Sequence, residues 1–266
     1  MTEGNRELRT TFDQVALLYD QARPGYPEEL FDAIVSLSGI PSTGRILEIG
    51  CGTGQATIPF ARRGYRLLCI DLGENLAAVA RHKLAAYPLV EVQTGAFEDW
   101  SIQEGAFDLV VAATAFHWLD PAIAYPKAAC ALRTGGAIAL FWNLHIHTDD
   151  TSPHFFEAVQ QLYCRFAPEL VKDDKPLPRP DEVEDKTGEI EQTGLFGKVA
   201  VRKYRWDVVY DAASYIRVLN TYSGHLNLNK TKRQRFFRAI AELIDTQFNG
   251  CITKGYLTSL YVARRQ

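Results

Sequence analysis

Short apolar runs alternate with segments of helical periodicity between residues 45 and 143. Apolar runs bounded by glycine or polar residues are typical of buried strands, whereas apolar residues at every third or fourth position are typical of amphipathic helices. Because strands that alternate with helices imply right-handed crossovers, this segment is predicted to form a parallel, doubly wound α/β sheet. The predicted strands are 45–50, 66–71, 90–95, 107–113 and 136–143, and the predicted helices are 55–64, 74–87 and 120–133.

The pattern differs on either side of this segment. Helices are predicted before it at 10–22 and 27–38, and after it at 153–166. A charged stretch at 172–194 has no apolar periodicity and is expected to be an exposed, mobile connection. The chain then ends in two strands and two helices, predicted at 198–209 and 255–265 and at 211–224 and 231–248.

These elements predict the fold class. Together they give an α/β protein with a doubly wound, mostly parallel seven-stranded sheet and a helical cap. We divide the chain into a core with N-terminal helices at 1–143, an insertion at 144–194 and a C-terminal part at 195–266 that completes the sheet and the cap. In such sheets a ligand lies outside the carboxyl ends of the strands.

Charge and composition narrow the class of protein. The 266-residue chain has a formal net charge of −3, which disfavours a nucleic-acid partner. No apolar run approaches the ~18 residues of a membrane-spanning helix, and the N-terminus lacks the apolar core of a signal peptide. The five cysteines are scattered without a CxxC pair, which favours reduced thiols over disulfides or zinc. We expect a cytoplasmic protein with neither a metal nor a membrane partner.

Two polar stretches each have both a structural and a functional interpretation. The histidines of "HIHTDD", residues 145–150, share a face only in a strand, and we favour a solvated loop over a metal site. The basic stretch "KTKRQRFFR", residues 230–238, opens an amphipathic helix, and we favour a solvated face over a nucleic-acid contact.

The glycine-rich segment "ILEIGCGTGQ", residues 46–55, begins within the first predicted strand of the sheet and continues into the loop after it. A phosphate loop of the Walker type needs a lysine after the glycines, and none is present. The dinucleotide pattern needs a third glycine where the chain has Gln55. Asp71 ends the next strand, where a carboxylate accepts hydrogen bonds from a ribose diol. The loop thus departs from both phosphate patterns, while Asp71 favours a ligand with a free diol.

Five segments resemble, in order and spacing, those of the class I S-adenosylmethionine-dependent methyltransferases: "LEIGCGTGQ", "CIDLGENL", "GAFEDW", "FDLVVAATAFHWLDP" and "LRTGGAIALFWN". The resemblance covers residues 10–143 well and the remainder more loosely. The segments "YDQARPGYP" and "FHW" are similar to the small-molecule branch that includes trans-aconitate methyltransferase-like proteins (methyltransferase type 11). The resemblance implies a Rossmann-like methyltransferase fold and S-adenosyl-L-methionine as the cofactor.

The resemblance also implies which residues contact the cofactor. The loop glycines would let the backbone approach the methionine and ribose parts, and Asp71 would bind the ribose hydroxyls. Tyr19 and Arg23 would close over the cofactor carboxylate, and Glu48 would shape the loop and face the amino group. The implied cofactor-binding positions are Tyr19, Arg23, Glu48, Gly50, Gly52, Thr53, Gly54, Asp71, Leu72, Ala96, Phe97, Ala113 and Thr114.

The acceptor side is less constrained by the sequence. Methyl transfer by in-line displacement depends mainly on alignment, so a base is needed only where the acceptor must lose a proton. His117 is then the candidate general base, with a substrate contact or a structural histidine as alternatives. A carboxylate acceptor would need only a cation, which Arg23 or Arg217 could supply. The candidate acceptor-binding residues are Tyr26, Phe116, Trp118 and Tyr222.

These features predict a methyltransferase that acts on a carboxylate or hydroxyl oxygen of a small molecule. The segment "ATAFHW" stands where many amino-group methyltransferases have an Asn- or Asp-Pro-Pro-aromatic motif, which weakens a nucleobase target. The insertion at 144–194 is expected to form part of a substrate lid. The alternatives are a non-catalytic protein that binds the cofactor or its demethylated product, an RNA methyltransferase and an NAD-dependent oxidoreductase. The acceptor and the oligomeric state do not follow from the sequence.

Overall fold

The computed structural model describes residues 12–147, 153–171 and 177–266. Its strands are β1 (Arg45–Ile49), β2 (Arg66–Asp71), β3 (Val90–Thr94), β4 (Phe107–Ala113), β5 (Leu132–Ile146), β6 (Ala200–Asp211) and β7 (Cys251–Arg264). They form one sheet in the order β3-β2-β1-β4-β5-β7-β6. Strands β1 to β5 run parallel, and β7 pairs antiparallel with both β5 and β6. The predicted doubly wound, mostly parallel seven-stranded α/β sheet is confirmed.

Helices cover both faces of the sheet. They are α1 (Ala16–Ala22), α2 (Glu28–Ser38), α3 (Thr57–Arg62), α4 (Glu74–Leu84), α5 (Pro121–Ala131), α6 (Pro153–Phe166), α7 (Thr187–Glu191), α8 (Ala212–Leu219), α9 (Ser223–Leu226) and α10 (Lys230–Gln247). Single 3₁₀ turns lie at Phe12–Val15, Phe116–Trp118 and Pro168–Leu170. Among the described residues no helix combines the length and the apolar character needed to cross a membrane.

Three apolar clusters hold these layers together. One packs α2 and α3 against one face of the sheet, a second packs α5 against the other face, and a third joins α6, α8 and α10 to β7. The central strands are therefore buried on both faces. This explains why the sequence of β1 and β4 is almost continuously apolar rather than alternating.

Strand β5 is longer than predicted. It runs from Leu132 to Ile146, so it takes residues assigned to the preceding helix and continues past the predicted domain boundary at 143. The extension pairs with β7 from His145 opposite Tyr256 to Ile146 opposite Gly255. Pairing with a distant strand therefore decides this boundary, and a sequence pattern cannot show it.

The charged connection at 172–194 is packed where the structure describes it. Val183 and Ile190 are buried, and the Tyr125 hydroxyl donates to Glu189 at 2.9 Å. The expectation of an exposed connection is thus wrong for these residues, because apolar side chains at wide spacing suffice to attach an irregular segment to a sheet. Residues 172–176 lie outside the described ranges, and the lid stays a prediction. Residues 10 and 11 of the first predicted helix also lie outside them.

Candidate active site

A cavity of about 450 Å³ lies where the parallel strands end. Its wall follows the carboxyl ends of successive strands: Gly50 after β1, Asp71 at the end of β2, Gly95 after β3, Thr114 after β4 and His145 near the end of β5. This is the position where open α/β sheets bind ligands, and the volume is that of an ordinary small-molecule site.

The glycine loop brings bare backbone to this wall. Gly50, Gly52 and Gly54 have φ values of 69°, 56° and 86°, in the left-handed region that glycine adopts without strain. A Cβ at Gly50 would lie 2.5 Å from the Cβ of Ala115 in the segment after β4. The loop therefore needs glycine both for its curvature and for its close approach to the neighbouring segment.

Asp71 is fixed by backbone amides on both sides. Its Oδ2 accepts from the amide of Gly52 at 2.7 Å, and its Oδ1 accepts from the amide of Gly73 at 2.8 Å. These two bonds orient the carboxylate, whose residue lines the cavity. Asp71 thus ties the end of β2 to the glycine loop.

Aromatic rings surround a guanidinium at the N-terminal side of the cavity. The Cζ atom of Arg23 lies 5.1 Å from the ring centre of Tyr19 and 4.5 Å from that of Tyr222. Its Nη2 donates to the carbonyl of Thr221 at 3.0 Å, whereas Nε is buried and has no partner among the described residues. Arg23 therefore keeps a donor for a ligand.

His117 is held by a tryptophan. The indole Nε1 of Trp142 donates to Nδ1 of His117 at 3.0 Å. Burial and, to a smaller extent, the charge of Lys186 lower the pKa of His117 to about 4. Because an indole only donates, the neutral ring carries its proton on Nε2. This arrangement suits a hydrogen-bond donor and is unfavourable for the general base that the sequence suggested.

His145 also lines the cavity, on the same side as Tyr222. Its Nε2 lies 3.0 Å from the Tyr222 hydroxyl, and its Nδ1 is buried without a partner in the described part of the chain. The interpretation of "HIHTDD" as a solvated loop is wrong for His145, which belongs to β5. Among the described residues no cluster of three or more His, Cys, Asp or Glu could hold a metal, and residues 148–150 lie outside them.

Twelve of the residues singled out from the sequence line the cavity. They are Tyr19, Arg23, Gly50, Gly52, Asp71, Leu72, Phe97, Ala113, Thr114, His117, Trp118 and Tyr222. Six others do not: Tyr26, Glu48, Thr53, Gly54, Ala96 and Phe116. Of the second group, Glu48, Thr53, Gly54 and Phe116 are buried within the protein.

Glu48 lies beneath the loop rather than at the cavity. It is fully buried, and its Oε2 accepts from the thiol of Cys69 at 3.7 Å, while Oε1 has no partner among the described residues. Burial raises its pKa to about 7, opposed by hydrogen bonds from Thr57 and Cys69. The position gives no support to the expected contact with an amino group of the cofactor.

Tyr26 and Phe116 support the wall from behind. The Tyr26 hydroxyl lies 2.9 Å from Oγ1 of Thr114, a residue held at a φ of 52°. The ring of Phe116 packs on Tyr125 with 4.8 Å between ring centres. Neither residue lines the cavity, so the structure gives no support to their predicted role as acceptor-binding residues.

Several lining residues were missed from the sequence. Phe12 and Leu76 come from the N-terminal turn and α4, Ala115 and Leu119 flank the "FHW" segment, and Ser223 begins α9. Apolar periodicity assigns such residues to a core, so no local signal distinguishes a cavity wall from packing. For His145 the one available signal was the pair of histidines at 145 and 147, which share a face only in a strand.

Comparisons with known proteins agree with this architecture. Residues 47–140 match the methyltransferase domain family. An uncharacterized methyltransferase of Mycobacterium tuberculosis is 33% identical over 143 residues, which cover 54% of this chain and 56% of that protein. The chain thus matches little more than half the length of this relative.

Solved structures share the fold. A putative type II methyltransferase from Anaeromyxobacter dehalogenans is 20% identical, with a TM-score of 0.61 over 91% of this chain and 97% of that one. Phosphoethanolamine N-methyltransferase 2 of Haemonchus contortus, in complex with phosphomonomethylethanolamine and S-adenosylhomocysteine, is 17% identical, with a TM-score of 0.54 over 95% of this chain and 57% of that one. Residues 47–140 thus match the methyltransferase domain family, and the whole chain has the Rossmann-like fold of these solved methyltransferase structures.

Proposed function

We propose that the chain is an S-adenosyl-L-methionine-dependent methyltransferase that methylates an oxygen of a small molecule. The observation that carries the proposal is the contact between Asp71 and the glycine loop at the mouth of the cavity. Asp71 can accept hydrogen bonds from a ribose diol, and the glycine loop offers bare backbone beside it. The loop has no lysine that could bind a phosphate. The Haemonchus contortus enzyme of the same fold binds S-adenosylhomocysteine, which supports the same cofactor here.

The residues of the cavity fit this cofactor group by group. Asp71 would accept from the ribose hydroxyls, while Leu72 and Phe97 offer an apolar surface for the adenine. The unpaired Nε of Arg23 suits the methionine carboxylate. The rings of Tyr19 and Trp118 line the same cavity and suit a sulfonium, since aromatic faces attract cations.

When bound, the cofactor supplies an electrophilic methyl group, and transfer forms a carbon–oxygen bond as the carbon–sulfur bond breaks. The chain's own contribution is alignment, which supplies on the order of 7–11 kcal/mol in well-oriented reactions. His117 would donate from Nε2 to an acceptor oxygen and hold it towards the methyl group. Asp71 is the only carboxylate of the described cavity wall, and it is assigned to the ribose. An acceptor that is already ionised, such as a carboxylate, therefore suits the site better than a hydroxyl that must lose a proton.

The acceptor is proposed to be a small molecule rather than RNA. The cavity is bounded by α1 and the start of α9, and its walls carry aromatic and apolar side chains rather than a basic surface. The acidic balance of the whole chain agrees with this, because RNA binding draws on an excess of positive charge.

Calorimetric titration with S-adenosylhomocysteine tests the cofactor assignment, with NAD as the competing ligand. We expect micromolar binding of S-adenosylhomocysteine alone. Asp71→Ala should weaken it at least tenfold, whereas Asp245→Ala, at an exposed position of α10, should leave it unchanged. Binding of NAD, or equal binding by the Asp71 variant with an unchanged melting temperature, would overturn the proposal.

A further inference from the structure

Lys254 is a buried lysine near the start of β7. It lies on β7 with 4% of its surface exposed. Its Nζ is 5.5 Å from the ring centre of Tyr215 and 5.8 Å from those of Tyr222 and Tyr256. Within the described ranges it has neither a carboxylate partner nor a hydrogen bond. The nearby charge that acts on it is another cation, Arg23.

Two buried polar atoms near Lys254 have no partner in the described part of the chain. They are Nε of Arg23 and Nδ1 of His145, and the charges of Lys254 and Arg23 both act on the His145 ring. Arg23, His145 and Tyr222 line the cavity, whereas Lys254 does not line it itself and has its Nζ 5.8 Å from the centre of the Tyr222 ring. Because unsatisfied buried groups cost free energy, cations and donors gathered at one end of a cavity favour the binding of an anion there.

The tyrosine rings offset only part of that cost. A cation over an aromatic face gains roughly 0.5–2 kcal/mol, less than the loss of its hydration. A methionine would fill the same volume without the penalty. The lysine therefore lowers stability in the free protein, as groups retained for ligand binding often do.

We propose that Lys254 binds an anionic group of the methyl acceptor and thereby selects acids over their neutral analogues. The inference rests on the proposed function, in which the cofactor carboxylate occupies Arg23. That assignment leaves Lys254, which has no carboxylate partner among the described residues, as the cation for the acceptor. The anion would lie between His145 and Tyr222, the two cavity residues next to the lysine.

The charge of Lys254 depends on pH in the free protein. Burial and the nearby Arg23 lower its pKa to about 7. The other titratable groups facing it stay neutral between pH 6 and 9: burial lowers the pKa of His145 well below its usual value and that of His225 to about 4, and it raises the pKa of Tyr215, Tyr222 and Tyr256. The Arg23 guanidinium stays charged. Acid binding should therefore weaken from pH 7 to 9.

The test measures acid binding at saturating S-adenosylhomocysteine. The probes are acetate, succinate, benzoate and phosphate, with acetamide, succinamide and benzamide as neutral controls. We expect at least one acid to bind the wild-type chain at least tenfold more tightly than its amide. Lys254→Met should remove that preference, and Lys254→Arg should keep it within threefold and free it from the pH dependence. Lys203→Met, at an exposed position of β6, should behave as the wild type.

The outcomes separate this inference from the proposed function. If S-adenosylhomocysteine does not bind the wild-type chain, the proposed function fails and the inference falls with it. If the cofactor product binds but no acid is preferred over its amide, or Lys254→Met keeps the preference, Lys254 is not the acceptor anchor and the methyltransferase assignment stands. If Lys254→Met does not fold, the wild-type pH dependence decides: acid affinity that is constant from pH 7 to 9 overturns the inference.

Discussion

The indole N–H of Trp142 donates to Nδ1 of His117, and this 3.0 Å contact determines which nitrogen of the ring carries the proton. A tryptophan on β5 thus sets the chemistry of a histidine that follows β4. The histidine presents a donor, because its acceptor nitrogen is already occupied.

Trp142→Phe should lower kcat/KM roughly five- to tenfold, since it removes a hydrogen bond worth about 1 kcal/mol and lets the ring change its tautomer. S-adenosylhomocysteine affinity should stay within twofold. Trp100→Phe is the matched control. The indole of Trp100 donates a 3.0 Å hydrogen bond to Gln93, and neither residue lines the cavity. An equal loss of activity in both variants would mean that the His117 contact has no special role.

The rate should not depend on the ionisation of His117 at neutral pH. With a pKa of about 4, the ring is neutral throughout pH 5.5–8, so kcat should show no acidic limb in that range. His117→Gln, which keeps an N–H donor, should retain more activity than His117→Phe. If kcat of the wild type instead fell below about pH 6.5 and this dependence disappeared in His117→Gln, His117 would act as the general base.

Gly50→Ala should abolish measurable cofactor binding and destabilise the fold by roughly 1–3 kcal/mol, because its φ is 69° and the new Cβ would lie 2.5 Å from Ala115. Gly64→Ala is the matched control: its φ is 81°, but no atom lies within 4 Å of the added Cβ. Thermal unfolding and calorimetry distinguish them. The control should lose stability and keep its affinity for S-adenosylhomocysteine.

Lys254→Met should raise the melting temperature most at low pH. A folded pKa of about 7 lies below the usual lysine value, so the unfolded chain binds the extra proton between pH 7 and 10.5 and wild-type stability rises with pH there. At about 1.4 kcal/mol per pKa unit, the advantage of the variant is a few kcal/mol below pH 7. It should shrink towards pH 10. A constant difference across this range contradicts the assignment.

Glu48→Gln should remove a loss of stability that the wild type shows between pH 4.5 and 7. The folded pKa of about 7 is raised above the usual value, so the folded chain holds the proton longer and stability falls as pH rises through this window. Denaturant unfolding at pH 5 and pH 8 measures the effect. Glu242→Gln, an exposed position on α10, should keep the wild-type slope.

The cavity residues proposed to bind the cofactor were predictable as a group because they carry local signals. Glycines with positive φ and Asp71 at the end of β2 follow from strand-loop-helix patterns over about twenty residues. The same patterns could not show that Glu48 points beneath the loop. Strand alternation fixes the face of a side chain only when the strand's exact start is known.

The residues proposed to bind the acceptor were not predictable in this way. His145 and Lys254 come from strands that are paired across more than a hundred residues of sequence, and each looks like an ordinary polar position in its own segment. Lys254 is a charged residue in the sequence of β7. Only the folded structure shows that tyrosine rings, instead of water, surround its side chain. Tertiary pairing, not local pattern, creates this part of the site.

The insertion of β7 between β5 and β6 also dictates the order in which the sheet can be completed. Among the described strands, β6 joins the sheet through β7, which follows it in sequence. The strands that carry the glycine loop and Asp71 therefore leave the ribosome, and can pair, long before the strand that carries Lys254. We thus expect the proposed donor end of the cavity to form earlier during synthesis than its proposed acceptor end.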